Sequence, residues 1–367
     1  MNKKVKEPRF HIVKRGALPW YHTIGIRIAA IAAALILCGI ITTLTTGINP
    51  FSVYYSMILG SFGTARKTWI TLQNTSILLL ISLALTPAFK MKFWNIGGEG
   101  QVLMGALASG SCMILLGKNH SNAFVIICMI AASIAAGMLW AFIPAFFKAK
   151  WNTNETLSTL MMNYIATQIV GFFTIVWEVP KGSGKIGIIN QDSNIGWLPQ
   201  IAGSKYLLAI IVAVAVTVFM YIYLKYTKQG YEISVVGESE NTAKYVGISV
   251  PKVIIRTMVL SGAICGIAGL LLTGGINHTV TTTIAGGQGF TAVMVSWMSK
   301  FNPFVMMLSS LLIIFMNRGA GEISTTFGLN QSYADILTGI ILFFLIGCEF
   351  FISYRIQSCK STQKGGN

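Results

Sequence analysis

The stretch Leu207-Leu-Ala-Ile-Ile-Val-Ala-Val-Ala-Val-Thr-Val-Phe-Met-Tyr-Ile-Tyr-Leu224 carries no charge from end to end and stops at Lys225. A helix of that length crosses a bilayer, because about 20 residues at 1.5 Å each match a hydrocarbon core about 30 Å thick. Comparable apolar runs fall at 24–46, 73–89, 99–117, 123–147, 157–177, 205–224, 256–276, 287–299, 303–317 and 333–354. The runs at 287–299 and 303–317 are short and read either as two spans or as one re-entrant pair. The pattern predicts an all-α, polytopic integral membrane protein of eight to ten spans. A sheet is excluded, since an open edge cannot face lipid and no ten-residue alternation recurs.

Composition agrees with the runs. The chain has 367 residues, of which 54% are apolar and 10% charged, and its mean hydropathy is +0.67. Soluble domains average about 25% charged residues. A soluble enzyme and a disordered regulator are therefore excluded. The net charge of +16 would suggest nucleic acid in a soluble chain, but no basic run is interleaved with exposed aromatics, so no nucleic acid is expected as a partner. In a membrane protein such an excess belongs to cytoplasmic loops. With both ends inside and ten spans, only Arg66, Lys67, Lys118, Lys181, Lys185, Lys205 and Arg318 fall outside, against 20 basic residues inside. That split predicts cytoplasmic termini. Trp69, Trp177 and Trp197 fall near outer boundaries, and Trp20, Trp94 and Trp151 near inner ones, where an indole sits at headgroup level.

The chain divides into a basic cytoplasmic segment (1–22), a transmembrane domain (23–355) and a cytoplasmic tail (356–367). The first apolar run continues through Thr46 without a cleavage site, and the bulky Leu37 before Cys38 argues against lipoprotein processing, so the segment is read as a retained anchor. The six cysteines and four histidines form no metal-binding or disulfide pattern. Between spans, 178–204 is a long outer loop rich in Gly and Pro. The segment 48–63, opened by Asn49-Pro50, reads as a short interfacial helix, Pro suiting a first helical turn. In the inner loop 225–252, Ser239 can cap a helix at about 240–246 that begins with Glu240 and ends at Gly247. Such a helix on the cytoplasmic face suits a docking partner better than a simple channel.

Three segments carry a resemblance. Asn241-Thr-Ala-Lys-Tyr-Val-Gly247 is similar to the coupling motif of bacterial ABC-transporter permeases, Glu-Ala-Ala, three residues, then Gly. Asn241 and Thr242 depart from it, while Ala243 and Gly247 match. Phe93-Trp-Asn-Ile-Gly-Gly-Glu-Gly-Gln101 resembles a signature of permeases in the branched-chain amino-acid and simple-sugar importer superfamily. Asn154-Glu155-Thr-Leu-Ser-Thr-Leu-Met-Met-Asn163-Tyr164-Ile165 resembles the nucleoside branch of that superfamily. The resemblance covers about residues 20–355. It implies a permease subunit of an ATP-driven importer in a bacterial cell membrane, with nucleosides as substrate. Its implied partners are a cytoplasmic ABC ATPase, a second permease subunit, homologous or identical, an extracytoplasmic substrate-binding lipoprotein, and membrane lipid. Glu238, Glu240, Asn241, Ala243 and Gly247 become the expected contacts to the ATPase. A simple-sugar importer is the alternative, and a stand-alone secondary transporter a more distant one, since Glu99 and Asp335 are its only candidate coupling acids.

The residues themselves give the second segment weight. A carboxylate inside an apolar span costs about 2.5–3.5 kcal/mol, so Glu99 is a functional candidate unless it caps a helix at the inner surface. Gly97, Gly98 and Gly100 interrupt the helix there, and Asn95, Glu99, Gln101 and Asn163 are expected along the substrate pathway. Asp335 and Glu349 read as structural, and Gly262 and Gly266 as a close helix crossing. No G-x-x-x-x-G-K-[ST] loop occurs, so no cofactor is expected on this chain, ATP being used by the partner, and no enzyme activity is expected. Finally, Ile96-Gly-Gly-Glu-Gly100 and Ala285-Gly-Gly-Gln-Gly289 open the third and eighth runs, at equivalent places in two halves of opposite topology, a recurring transporter plan.

Overall fold

The computed structural model describes residues 10–16 and 19–358. The basic residues Lys3, Lys4, Lys6, Arg9, Lys360 and Lys364, and Cys359, lie outside them. The chain forms two compact units, one of 65–314 and one of the flanking segments up to Thr64 and from Phe315. Among the described residues nine helices are long and apolar enough to cross a membrane. Six of them lie wholly in the larger unit, the first five being α3 (Ala65–Lys90), α4 (Gly98–Leu116), α5 (Asn122–Trp151), α6 (Glu155–Val176) and α7 (Leu207–Tyr226). They are joined by α10 (Val250–Leu270), which continues as a π-helical turn over Leu271–Asn277.

α10 is the axis of this unit, and glycine is the reason. A Cβ on Gly262 would sit 2.1 Å from the Gly137 carbonyl oxygen of α5, and one on Gly266 would sit 2.3 Å from that of Ser133. On the other side, a Cβ on Gly269 would sit 2.4 Å from the Val102 carbonyl oxygen of α4. Small residues let backbones touch where lipid offers no hydrophobic drive to associate. The close crossing expected of Gly262 and Gly266 is thus present, and it extends to Gly137 and Gly269.

The run 287–299 is not a full span. Its helix, α11, covers Gln288–Met298, too short to cross alone. The chain still crosses. At one end His278 accepts from the Ile189 N–H at 2.8 Å and its ring stacks on Trp197, 3.8 Å between centroids. At the other end Trp297 stacks on Trp94 and meets Phe89 at the foot of α3. Val280 lies against Gly110 of α4 and Gly289 against Glu99, a descent of about 16 Å along that helix. The crossing is half non-helical chain and half α11, which is why hydropathy alone left it ambiguous. The next run is longer than read: α12 covers Pro303–Phe327.

In the smaller unit α1 (Trp20–Thr46) packs along α13 (Gln331–Ser353), with the Tyr333 hydroxyl donating to Thr42 Oγ1 at 2.9 Å. α2 (Pro50–Phe62) starts as expected, with Pro50 in its first turn and the Asn49 side chain accepting from the Phe51 N–H. It does more than lie on a surface. The Tyr54 hydroxyl donates to the Leu35 carbonyl inside α1, and Met57 packs on Gly319 of α12. α13 begins at Gln331 under an Asn330 cap, so Asp335 falls in its second turn. The Glu349 side chain lies outside the description. Two short strands lie outside the helices: β1 (Phe10–Lys14) pairs antiparallel with β2 (Tyr354–Ser358). Residues of the N-terminal segment thus meet the start of the C-terminal tail.

Candidate functional site

α3 ends at Lys90, and the chain turns through Lys92, at φ 61°, into the segment 93–97. A helix start leaves N–H groups without partners inside the helix. Here they are buried, and neighbouring side chains satisfy them. Asn95 Oδ1 accepts from the Gly97 N–H at 3.0 Å. Thr159 Oγ1 on α6 accepts from the Ile96 N–H at 3.2 Å. Asn163, one turn further along α6, is bidentate: its Nδ2 donates to the Ile96 carbonyl at 2.9 Å and its Oδ1 accepts from the Gly100 N–H at 2.8 Å. A Cβ on Gly100 would meet that oxygen at 2.9 Å. The segments 93–101 and 154–165 are therefore one structural unit. Below it, Asn154 caps α6 by accepting from the Leu157 N–H, and Glu155 pairs with Lys148 at 3.0 Å.

Asn95 and Gln101 close a second set of bonds through Ser261 of α10. Asn95 Nδ2 donates to Ser261 Oγ at 3.1 Å, Ser261 Oγ donates to Gln101 Oε1 at 3.3 Å, and Gln101 Nε2 donates to Asn95 Oδ1 at 3.4 Å. All three side chains are buried. Buried polar groups that satisfy one another rigidify a core. Ser261 was missed by sequence reasoning; its only signal was a hydroxyl in an apolar run.

Glu99 reaches the other way. One carboxylate oxygen accepts from the Gly287 N–H at 2.9 Å and the other from the Gly289 N–H at 2.8 Å. Gly287, at φ 73°, is the N-cap of α11, a left-handed conformation that glycine adopts without strain. A Cβ on Gly289 would sit 2.3 Å from the Glu99 backbone nitrogen. The two glycine motifs, Ile96–Gly100 and Ala285–Gly289, thus face each other at the starts of α4 and α11. Each start carries about half a positive charge. The carboxylate lies in the first turn of its own helix and binds the start of the other, so it neutralises both. Glu99 is buried and is a helix cap at once, and the cap belongs to the half-helical crossing.

On the outer side, the loop 178–204 is folded onto the ends of α4 and α5. Asn190 Nδ2 donates to the Met113 carbonyl, and Asn122 Oδ1 accepts from the Gly196 N–H. Glu178 accepts from the Gly182 and Gly184 N–H groups, in that order of effect, which holds its carboxyl below the usual range. A cavity of about 300 Å³ lies beneath, lined by Gln73, Trp197, Lys205 and His278 among others. Among the described residues no cluster of His, Cys, Asp or Glu could hold a metal ion.

On the inner side, the loop 225–252 is two helices, not one. α8 (Lys228–Glu238) packs so tightly on α3 that a Cβ on Gly237 would sit 2.1 Å from the Lys90 carbonyl oxygen. Arg256 of α10 pairs with Glu232 at 3.0 Å. α9 (Glu240–Tyr245) follows, capped by Ser239, whose hydroxyl accepts from the Thr242 N–H at 3.2 Å. Ala243 is fully buried and pins this helix to the body, while Glu238, Glu240, Asn241 and the tip residues Tyr245 and Val246 are exposed. Gly247 closes it at φ 80°. Tyr245 was missed by sequence reasoning, which has no means of telling the free face of a six-residue helix.

Comparison with known proteins supplies what geometry does not. The family described as "branched-chain amino acid transport system / permease component" matches residues 68–346. The guanosine ABC transporter permease protein NupP of Bacillus subtilis is 30% identical, over 90% of this chain and 94% of that protein. The nucleoside ABC transporter permease protein NupB of Lactococcus lactis is 27% identical, over 89% and 91%. The glucose ABC transporter permease protein TsgB13 of Haloferax volcanii is 26% identical, over 93% and 92%. With three-quarters of its length under the family description, the chain belongs to the ABC-transporter permeases of the branched-chain amino acid transport system family.

Proposed function

We propose that this permease is half of the translocation pathway of a nucleoside importer in a bacterial cell membrane. The observation that carries the substrate class is the 30% identity to a guanosine permease along nearly the whole of both chains. The Phe93–Gln101 and Asn154–Ile165 segments, joined through Asn163, support it as one unit. In this reading Asn95, Glu99, Gln101 and Asn163 hold the pathway in shape and do not grip the substrate, because their hydrogen bonds are taken up within the chain. The second permease closes the other side of the path, and a lipoprotein delivers substrate to the outer loop. The glucose permease relative keeps a sugar importer as the second reading.

ATP-dependent uptake of labelled guanosine by the reconstituted complex tests both. Competition by adenosine or cytidine, with none by glucose, is the expected result. Competition by glucose alone transfers the protein to the sugar reading. Uptake by this chain in ATP-free vesicles would make it a secondary transporter.

Coupling is assigned to α9. Its exposed Tyr245–Val246 tip is an apolar knob outside the membrane, the kind of anchor that docks in a partner's groove. Gly247→Val puts a β-branched side chain at φ 80°, strained by roughly 1–2 kcal/mol, in a helix of six residues. Nothing lies within 4 Å of a Cβ there, so the permease body should fold normally. The expected phenotype is weaker co-purification of the ATPase and loss of substrate-stimulated ATP hydrolysis. Full ATPase binding and uptake in that variant would move the coupling role elsewhere.

A further inference from the structure

The cavity beneath the outer loop takes no part in the Glu99 clasp, and none of Asn95, Glu99, Gln101 and Asn163 lines it. At about 300 Å³ it has the size at which ligand pockets begin. Its walls are held by bonds of their own. The Leu198 N–H donates to the Gly274 carbonyl at 2.9 Å, and Trp197 Nε1 donates to the Ile189 carbonyl at 3.0 Å. The loop is thereby clipped to the π-helical turn that continues α10, and that turn supplies Leu271, Gly275 and Ile276 to the lining. Such a cavity exists before anything enters it, so an occupant does not have to order it.

Two groups of the lining are left without a partner. Gln73, about two turns into α3, is only 4% exposed. Its Nε2 donates to the Lys205 carbonyl at 3.5 Å, while among the described residues no donor reaches its Oε1. A buried carboxamide oxygen without a donor is costly, and this one belongs to a side chain that lines the cavity. The other group is the Lys205 ammonium. Lys205 is exposed, so it stands at the rim. Its ammonium lies 5.5 Å from the Tyr206 ring centroid and has no carboxylate partner among the described residues, of which no Asp or Glu lines the cavity. The lining thus offers an acceptor at depth and a cation at the mouth, with apolar wall from Leu208, Leu271 and Ile276.

We propose that this cavity binds a small organic monoanion whose far end carries a hydroxyl or N–H donor. The donor end goes in and meets Gln73 Oε1, and the negative end stays at the rim with Lys205. Gln73 is the selective contact, because a solute without the donor leaves a buried acceptor unpaired. Lys205 contributes less, as exposed charge pairs do, and it fixes which way round the solute enters. An occupant so placed bridges α3, the start of α7 and the outer loop. The proposal stands on the lining alone and is independent of the nucleoside reading.

The test uses three probes of one shape, titrated calorimetrically into the complete importer in phosphatidylcholine nanodiscs. 4-Hydroxybenzoate has both ends, benzoate lacks the donor, and 4-hydroxybenzamide lacks the charge. The expected order is 4-hydroxybenzoate tightest, 4-hydroxybenzamide several-fold weaker and benzoate about tenfold weaker. Gln73→Leu, close in volume and apolar, should erase the preference over benzoate and keep that over the benzamide, and Lys205→Gln should do the reverse. No binding of 4-hydroxybenzoate would overturn the proposal, and so would equal binding of all three. A hydroxyl preference that survives Gln73→Leu would place the probe elsewhere on the complex and overturn the site. Displacement of the probe by guanosine would make the cavity a station for the imported solute and overturn the monoanion class. Gln200→Cys gives a reading that does not depend on a buried substitution, since Gln200 lines the cavity and is exposed. Its modification by a thiol reagent, after subtracting the wild-type signal, should be slowed several-fold by 4-hydroxybenzoate, and an unslowed rate would count against the site.

Discussion

Glu99→Gln is expected to abolish uptake and to lower the unfolding midpoint of the purified permease. Glutamine keeps the size of the side chain but has one acceptor atom where the carboxylate has two. One of the Gly287 and Gly289 N–H groups, now bound at 2.9 and 2.8 Å, would then face an NH₂ group and lose its partner. A buried donor left unsatisfied costs about 1–3 kcal/mol. The lost charge adds to this, because two positive helix ends would face each other with no anion between them, each such interaction being worth about 0.3–1 kcal/mol and more when buried. Glu99→Asp is the informative companion. It restores the charge on a shorter arm, so stability should recover in part while the start of α11 shifts and uptake stays low. The measurements are thermal unfolding in detergent and ATP-driven uptake at matched expression. A glutamine variant with the wild-type midpoint and wild-type uptake would show that the clasp contributes nothing to either. An effect on uptake without one on stability would place the carboxylate in the path and not in the frame.

How much of this was legible in the sequence follows from what each signal measures. Apolar runs report burial in lipid, so the continuous helices were readable and the half-helical crossing was not, since Thr281–Thr283 and three glycines interrupt its hydropathy. The glycine motifs at 96–100 and 285–289 were visible as a pair because both open a helix. That Glu99 ties one to the other depends on a contact across 188 positions, which no local pattern encodes. Asn163 was expected along the substrate pathway, and its partners proved to be backbone groups of the other motif. The charge asymmetry along the chain predicted cytoplasmic termini, and the pairing of Phe10–Lys14 with Tyr354–Ser358 had no signal in the sequence. Those strands are five residues each, too short for alternation to separate them from loop. α8 was missed for a related reason. Its apolar positions Ile233 and Val236 are buried, and in a chain dominated by 20-residue runs such a short amphipathic stretch reads as loop.

Gly262→Val is expected to prevent the larger unit from forming at all. The crossing of α5 and α10 brings each helix to within 2.1 Å of where the other's Cβ would stand, at Gly137 and Gly262 alike. What blocks the substitution is main chain, so no rotamer change relieves it, and the helices must separate. Overpacking a well-packed site costs about 1–3 kcal/mol and occasionally more. Here separation would also open the Gly266–Ser133 contact and loosen α10, which carries Ser261 of the Asn95–Gln101 network. Because lipid drives no hydrophobic association between helices, lost packing is not recovered by burial elsewhere. Gly262→Ala should suffer nearly as much, since the first carbon is the one that clashes. Gly339→Ala in α13 is the control: nothing lies within 4 Å of its Cβ, and exchanging glycine for alanine inside a helix gains up to about 1 kcal/mol. Yield of monodisperse protein and the unfolding midpoint decide the matter. The expected order is Gly339→Ala at or above wild type, Gly262→Ala well below it, and Gly262→Val not recovered. A Gly262→Val protein that purifies with an unchanged midpoint would mean that α5 and α10 do not cross at these glycines, and the placement of Ser261 beneath the 93–101 segment would fall with the crossing.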